Sequence, residues 1–194
     1  MTKKILLFLC HGFEAYEASV FTDVIGWSQY YGDKSVELKT AGFKNEIEAC
    51  WNFKVKPEVL FEDIRIEDYD ALAIPGGFEE EGYYTEAYSE EFLDLVKAFN
   101  TQGKIIATVC VGAMPLGKCG ILKGVKATTY DLFENHRRGQ LAEFGADVQD
   151  KHVVVSDNII TSTGPRTAIE VALILLEMLT SKENAEHIKY LMRF

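Results

Sequence analysis

At 194 residues, 47% hydrophobic and 26% charged, the chain has the composition of one globular domain, long enough to bury a core without disulfides or structural metal. No stretch approaches the roughly 18 to 20 uncharged apolar residues of a membrane span. Thirty acidic against 20 basic residues give a net charge of −10, and the one compact basic spot, His136-Arg137-Arg138, is too small for the stripe a nucleic acid requires.

In chain order, Lys4–Cys10 reads as a fully buried strand. This amino terminus superficially looks like a signal peptide, but its apolar run is short and no small-residue cleavage site follows, so the expected compartment is the cytoplasm. Tyr16–Tyr30 has apolar residues at helical spacing: Val20, Phe21, Val24, Ile25 and Tyr30. Val36–Ala41 is a second strand, and Asp70–Pro75 a third that ends at Gly76-Gly77. Ser89–Phe99 is a helix with Phe92, Leu95, Val96 and Phe99 on one face. Lys104–Val109 is another buried strand, and Gly112–Cys119 begins a helix behind it. Val153–Val155 and Ile159–Ser162 flank Asp157-Asn158 as a hairpin. Arg166–Leu179 follows Gly164-Pro165 as a long helix, and Ser181–Met192 closes the chain as a shorter one.

Continuous apolar strands separated by helices predict a mostly parallel sheet covered on both faces. In such sheets the functional crevice lies beyond the carboxyl ends of the strands. Three of those ends carry unusual residues: Cys10-His11-Gly12, Pro75-Gly76-Gly77, and Cys110-Val111-Gly112. Topology thereby gathers three separate oddities into one candidate site.

Of the four cysteines, Cys10, Cys50, Cys110 and Cys119, none forms a C-x-x-C pair, and the histidines lack zinc-finger spacing, so no metal site is expected. Three of them read as small apolar fillers. Cys110 is different because it stands where a strand turns abruptly into a helix. Such an elbow projects its side chain out of the sheet, and small Ala107 and Gly112 allow the turn. The helix behind directs N–H groups and positive dipole at the sulfur, favouring thiolate. The backbone N–H groups of Val111 and Gly77 are placed to hold an oxyanion. The same position also suits a cysteine buried as a small hydrophobe at a strand end.

Five motifs in order carry a resemblance: Gly12–Val24, Ala73–Gly77, Ile105–Ala113, Lys126–Tyr130 and Thr161–Leu173. Together they resemble the DJ-1/ThiJ/PfpI superfamily, itself related to class I glutamine amidotransferase domains. The likeness covers nearly the whole chain and is weakest at Asn45–Arg65. It implies a flavodoxin-like three-layer α/β/α sandwich, a reactive elbow cysteine, a homodimer, and a first-helix glutamate beside the sulfur. By alignment on Gly12 that glutamate is Glu17. A carboxylic acid pressed against sulfur shares its proton and stabilises the thiolate by a hydrogen bond. Glu14, three residues earlier, is expected to face solvent.

Two positions depart from the family's pattern. The histidine that peptidase-like members carry after the cysteine is Val111 here, and the histidine that follows the paired threonines elsewhere is Tyr130. A cysteine protease is thereby disfavoured, since neither position supplies a base for the leaving group. His11, Gly76 and Tyr130 stand as pocket candidates. The favoured reading of His11 is an exposed loop histidine, since proximity alone does not orient an imidazole. Tyr130 either donates a hydroxyl to a ligand or fills the space a histidine leaves. The acid run Glu79-Glu80-Glu81 reads as a solvated loop that would disfavour anionic substrates if it lined the pocket. No cofactor is expected: the loop after the first strand lacks the hydroxyl-rich phosphate cradle a flavin needs.

Two functions stay open at this point. One is an enzyme that uses Cys110 on a small electrophile, an α-oxoaldehyde, an isonitrile or an amide, with Glu17 as acid and base. The other is a redox-responsive protein in which Cys110 takes up oxygen as sulfenic or sulfinic acid.

Overall fold

The computed structural model describes residues 2–194. Eleven strands and seven α-helices follow in chain order: β1 Lys3–Phe8, α1 Ala15–Tyr31, β2 Val36–Gly42, β3 Ile47–Glu48, β4 Lys54–Val55, β5 Val59–Leu60, β6 Ala71–Ile74, α2 Tyr83–Ala87, α3 Glu90–Thr101, β7 Ile105–Thr108, α4 Met114–Lys118, β8 Lys126–Ala127, α5 His136–Glu143, β9 Asp147–Val148, β10 Val153–Ser156, β11 Ile159–Ser162, α6 Ala168–Leu179 and α7 Lys182–Leu191.

The main sheet has the order β10-β11-β7-β6-β1-β2-β5. All its pairings are parallel except the β10–β11 hairpin. The five inner strands β2-β1-β6-β7-β11 repeat the 2-1-3-4-5 order of a flavodoxin-like sheet. One layer of helices is α1 packed on α6 and α7; the other is α3 with α2 and α4. Residues Ile5–Phe8 of β1, and all of β6 and β11, are buried, as strands sandwiched between two helical layers must be. The expected α/β/α architecture is the one found.

The long expected elements occupy their places within one or two residues. The hairpin turns at Asp157, in the left-handed region (φ 50°), with Ser156 opposite Ile159. The helix expected from Gly112 is shorter: a 3-10 turn over Cys110–Ala113 precedes the five residues of α4. Two regions hold elements with no clear sequence signal. The antiparallel pair β3–β4 and edge strand β5 fill the stretch between β2 and β6. The parallel pair β8–β9 and α5 lie between α4 and β10.

Candidate active site

The carboxyl ends of β1, β6 and β7 are neighbours in the sheet, and the loops that leave them meet. An antiparallel bridge joins Phe13 to Gly77. The Glu14 N–H donates to the Gly76 carbonyl (2.8 Å), and the Phe78 N–H to that of Gly12 (3.1 Å). These bonds lock the β1–α1 loop against the β6 loop, so that α1 starts beside the elbow.

Cys110 follows β7 with φ 55°, the left-handed region that non-glycine residues rarely occupy. A nucleophile elbow is expected to be strained, and this one is. The turn is held from below and above. Gly112 lies so close to the Ile74 carbonyl that a Cβ there would stand 2.6 Å from its oxygen. The Thr129 hydroxyl donates to the Cys110 carbonyl (2.9 Å). That role of Thr129 is invisible in sequence, where the paired threonines signal only the position ahead of Tyr130.

Glu17 is fully buried on the first turn of α1 and lies in hydrogen-bonding reach of Cys110. Its Oε2 accepts the Gly76 N–H at 2.6 Å, while its Oε1 is buried without a protein partner. Gly76 is where the pieces converge. A side chain there would meet the Cys110 Cβ and Glu17 Oε2 at 2.9 Å and the Val111 nitrogen at 3.1 Å. Burial, and then the charge of Glu14, push the Glu17 carboxyl up to about 8, so it carries its proton at neutral pH. Burial also pushes the Cys110 thiol up, and a charge on Glu17 would push it further; the Val111 N–H pulls it back. A protonated Glu17 removes that charge and offers a donor to the sulfur instead. The helix expected to favour thiolate is a 3-10 turn and the five residues of α4, and the expectation is corrected: burial outweighs the Val111 N–H, and the thiol is raised on balance.

In front of the sulfur lies a cleft of about 490 Å³. Cys110, Val111, Gly77 and Tyr130 line it together with Glu14, Phe78, Glu79 and Glu80. Both expected oxyanion donors, Val111 and Gly77, and the pocket candidate Tyr130 thus come together with the cysteine. Gly76 touches the site from behind. His11 does not join it: its N–H donates to Glu86 Oε2 (2.7 Å), and its ring lies against Gly82.

Glu14 corrects the sequence reading. It is 7% exposed and lines the cleft instead of facing solvent. The one-turn spacing from Glu17 is misleading because Glu14 is the N-cap of α1, in extended conformation, and its side chain is not on the helical wheel. Desolvation raises its carboxyl too. The acid run is exposed as expected, and Glu79 and Glu80 also form part of the cleft. The basic spot is neutralised, with Arg137 on Glu79 (2.6 Å) and Arg138 on Asp150 (2.9 Å) and Asp131 (3.5 Å).

A strained cysteine after β7, a buried carboxyl on α1 and a glycine-lined approach after β6 are set out as the sequence motifs imply. A family model described as the DJ-1/PfpI family matches residues 3–178. The chain belongs to the DJ-1/PfpI family. Protein DJ-1 homolog B of Arabidopsis thaliana is 32% identical over 185 residues, 95% of this chain and 40% of the relative. This chain therefore spans well under half the length of that plant relative. Deglycase PfpI of Pyrococcus furiosus is 31% identical over 130 residues, 66% of this chain and 74% of the relative. Among solved structures, oxidized Toxoplasma gondii DJ-1 superposes with a TM-score of 0.82 at 29% identity, covering 100% of this chain and 99% of that one.

Proposed function

We propose that this DJ-1/PfpI member is an enzyme that uses Cys110 as nucleophile on a small α-oxoaldehyde, with Glu17 moving the protons. The observation that carries the reading is Cys110 at φ 55° beside a carboxyl that burial keeps protonated near neutrality. The name deglycase carried by the Pyrococcus relative favours carbonyl substrates over isonitriles and amides.

In this mechanism the Cys110 Sγ adds to the aldehyde carbon. The carbonyl π pair moves to oxygen, where the N–H groups of Val111 and Gly77 hold it. The sulfur's proton reaches that oxygen through the Glu17 carboxyl, giving a hemithioacetal. Glu17 then gives its proton to the neighbouring ketone oxygen as its other oxygen takes the proton of the former aldehyde carbon, forming an enediol. The proton then goes to the adjacent carbon while the hemithioacetal hydroxyl gives up its own to Glu17, leaving the thioester of a 2-hydroxy acid. Water cleaves the thioester and restores the thiol. The sum is oxoaldehyde plus water to 2-hydroxy acid, so no external oxidant or reductant is needed. Peptide hydrolysis fits poorly, because Val111 and Tyr130 leave no imidazole at the usual places to protonate an amine.

The test is methylglyoxal consumption with hydroxy-acid formation, measured beside simple isonitriles and amides. Loss of turnover in Cys110→Ser supports the reading, and turnover that survives it refutes it. A second reading is favoured by the Toxoplasma structure, whose protein is described as oxidized. In it a peroxide transfers one oxygen to Cys110, the thiolate losing two electrons as the O–O bond breaks and water leaves. Mass spectrometry after substoichiometric peroxide decides it: oxygen on Cys119 in preference to Cys110 would end that reading.

We further propose a homodimer in a reducing cytoplasmic compartment. Trp51 and Phe53 beside β4, and Tyr16 and Trp27 on α1, leave large apolar side chains exposed, surface that a second copy would cover. Light scattering should give twice the 21.8 kDa of the chain.

A further inference from the structure

The cleft before Cys110 is far larger than a three-carbon oxoaldehyde needs. Its volume is about 490 Å³. Five heavy atoms occupy on the order of 100 Å³, taking about 30 Å³ of liquid volume for a water-sized group. Cavities of this size normally enclose a ligand several times larger.

Away from the sulfur the wall is apolar and partly aromatic: Phe78, Tyr130, Leu132, Phe133 and Pro165. The Tyr130 and Phe133 rings lie 5.8 Å apart, tilted at 43°. Leu132 and Phe133 are 61% and 81% exposed, so these apolar groups stand at the cleft mouth without protein to cover them. A flat ring seated there would bury surface on several sides, and aromatic pairs gain beyond area alone.

Charge narrows the choice further. Glu14, Glu79 and Glu80 are the acids of the lining, against Arg137 and a rim histidine, His136. The charge of Arg137 is already paired: Nη2 donates to Glu79 Oε2 (2.6 Å), Nη1 donates to Gln140 Oε1 (2.8 Å), and Cζ sits 5.0 Å from the Tyr84 ring centroid. A carboxylate entering the cleft meets acids and a guanidinium whose charge Glu79 already balances. We infer that the cleft selects neutral electrophiles bearing a flat apolar substituent, aryl α-oxoaldehydes in preference to methylglyoxal or to an aldehyde that carries a carboxylate. Phe133 and Leu132 set the preference for the ring, and the Glu79–Arg137 pair sets the exclusion of anions. This rests on Cys110 acting on carbonyls as proposed above.

The experiment compares kcat/KM for phenylglyoxal, methylglyoxal and 4-carboxyphenylglyoxal, an oxoaldehyde of the same shape that carries a carboxylate, on the wild-type protein, Phe133→Ala, Leu132→Ala and Glu79→Gln. The expected wild-type preference for phenylglyoxal over methylglyoxal is roughly tenfold or more. The ratio falls toward one in Phe133→Ala and Leu132→Ala, both changes at exposed positions that leave folding intact. Glu79→Gln releases Arg137 and raises 4-carboxyphenylglyoxal relative to phenylglyoxal. Turnover of methylglyoxal with no preference for phenylglyoxal, or with 4-carboxyphenylglyoxal best, overturns this inference and leaves the carbonyl reading standing. If no oxoaldehyde turns over, the carbonyl reading fails and the cleft is judged by protection. Acetophenone should then slow alkylation of Cys110 by limiting iodoacetamide at concentrations where acetone and benzoate do not. Equal rates with all three overturn the inference.

Discussion

Glu17 ties the chemistry of the site to the stability of the whole protein. Its carboxyl rises from an ordinary 4.5 to about 8 in the folded chain. Between those values the native state holds a proton that the unfolded state has lost, so stability falls as pH rises. The contribution is fully present below about pH 4.5 and is lost through about pH 8. Each tenfold gain in proton affinity is worth about 1.4 kcal/mol, so the full span comes to about 5 kcal/mol as an upper value. Between about pH 5.5 and 7.5 the slope alone removes roughly 2.7 kcal/mol, or on the order of 5–10 °C of melting temperature for a chain this size. Glu17→Gln keeps an acceptor for the Gly76 N–H and cannot titrate. The assay is thermal or urea unfolding across that range for Glu17→Gln and its parent, each in a Cys110→Ser background so that oxidation and thiol titration do not intrude. The parent should lose stability steeply with pH, and the Gln variant should lose far less. Parallel curves would mean that Glu17 is already ionised in the folded protein, and the proton-sharing scheme would fail.

Four other outcomes follow from the same geometry. Glu14→Gln removes the charge that helps raise Glu17, so the pH at which stability declines should move downward, seen in the same unfolding series. Glu17→Leu deletes the donor to the sulfur, and the pH midpoint of iodoacetamide alkylation at Cys110, followed by mass spectrometry, should rise; equal midpoints would assign the tuning to Val111 alone. Thr129→Val strips one of the two donors from the Cys110 carbonyl (2.9 Å), at a cost of about 0.5–1.5 kcal/mol, measured by urea unfolding. Gly76→Ala forces a methyl to within 2.9 Å of both Cys110 and Glu17; overpacking should destabilise by about 1–3 kcal/mol and abolish turnover, read by unfolding and methylglyoxal assay together.

The sheet is legible in the sequence because its strands are buried on both faces and therefore apolar without interruption, as Ile5–Phe8 and Ala71–Ile74 are. The elbow is legible too, since a cysteine set between a β-branched run and a glycine marks the place where a buried strand must turn sharply. What escapes a reading of the sequence is short or conditional on tertiary contact. Two-residue strands such as Lys54–Val55 and Lys126–Ala127 give no period to read. The helix α5 begins after Phe133, Glu134 and Asn135, three consecutive left-handed residues that no turn signature announces. Glu14 is misplaced because helical spacing does not hold one residue before the helix begins. Thr129 and the Arg137–Glu79 pair depend on approaches between distant segments, 19 and 58 residues apart.

The nucleophile and the outer cleft wall belong to different pieces of the fold. Cys110, Glu17 and Gly76 hang from β7, α1 and β6, within the buried core. Tyr130, Leu132, Phe133 and Arg137 sit on a loop and helix carried by the small β8–β9 sheet, off the main one. Changes at positions that share no partner combine nearly additively. A relative, or a laboratory, can therefore rewrite Leu132 and Phe133 and change which molecule is admitted, while the sulfur, its acid and the strained turn that presents them stay as they are.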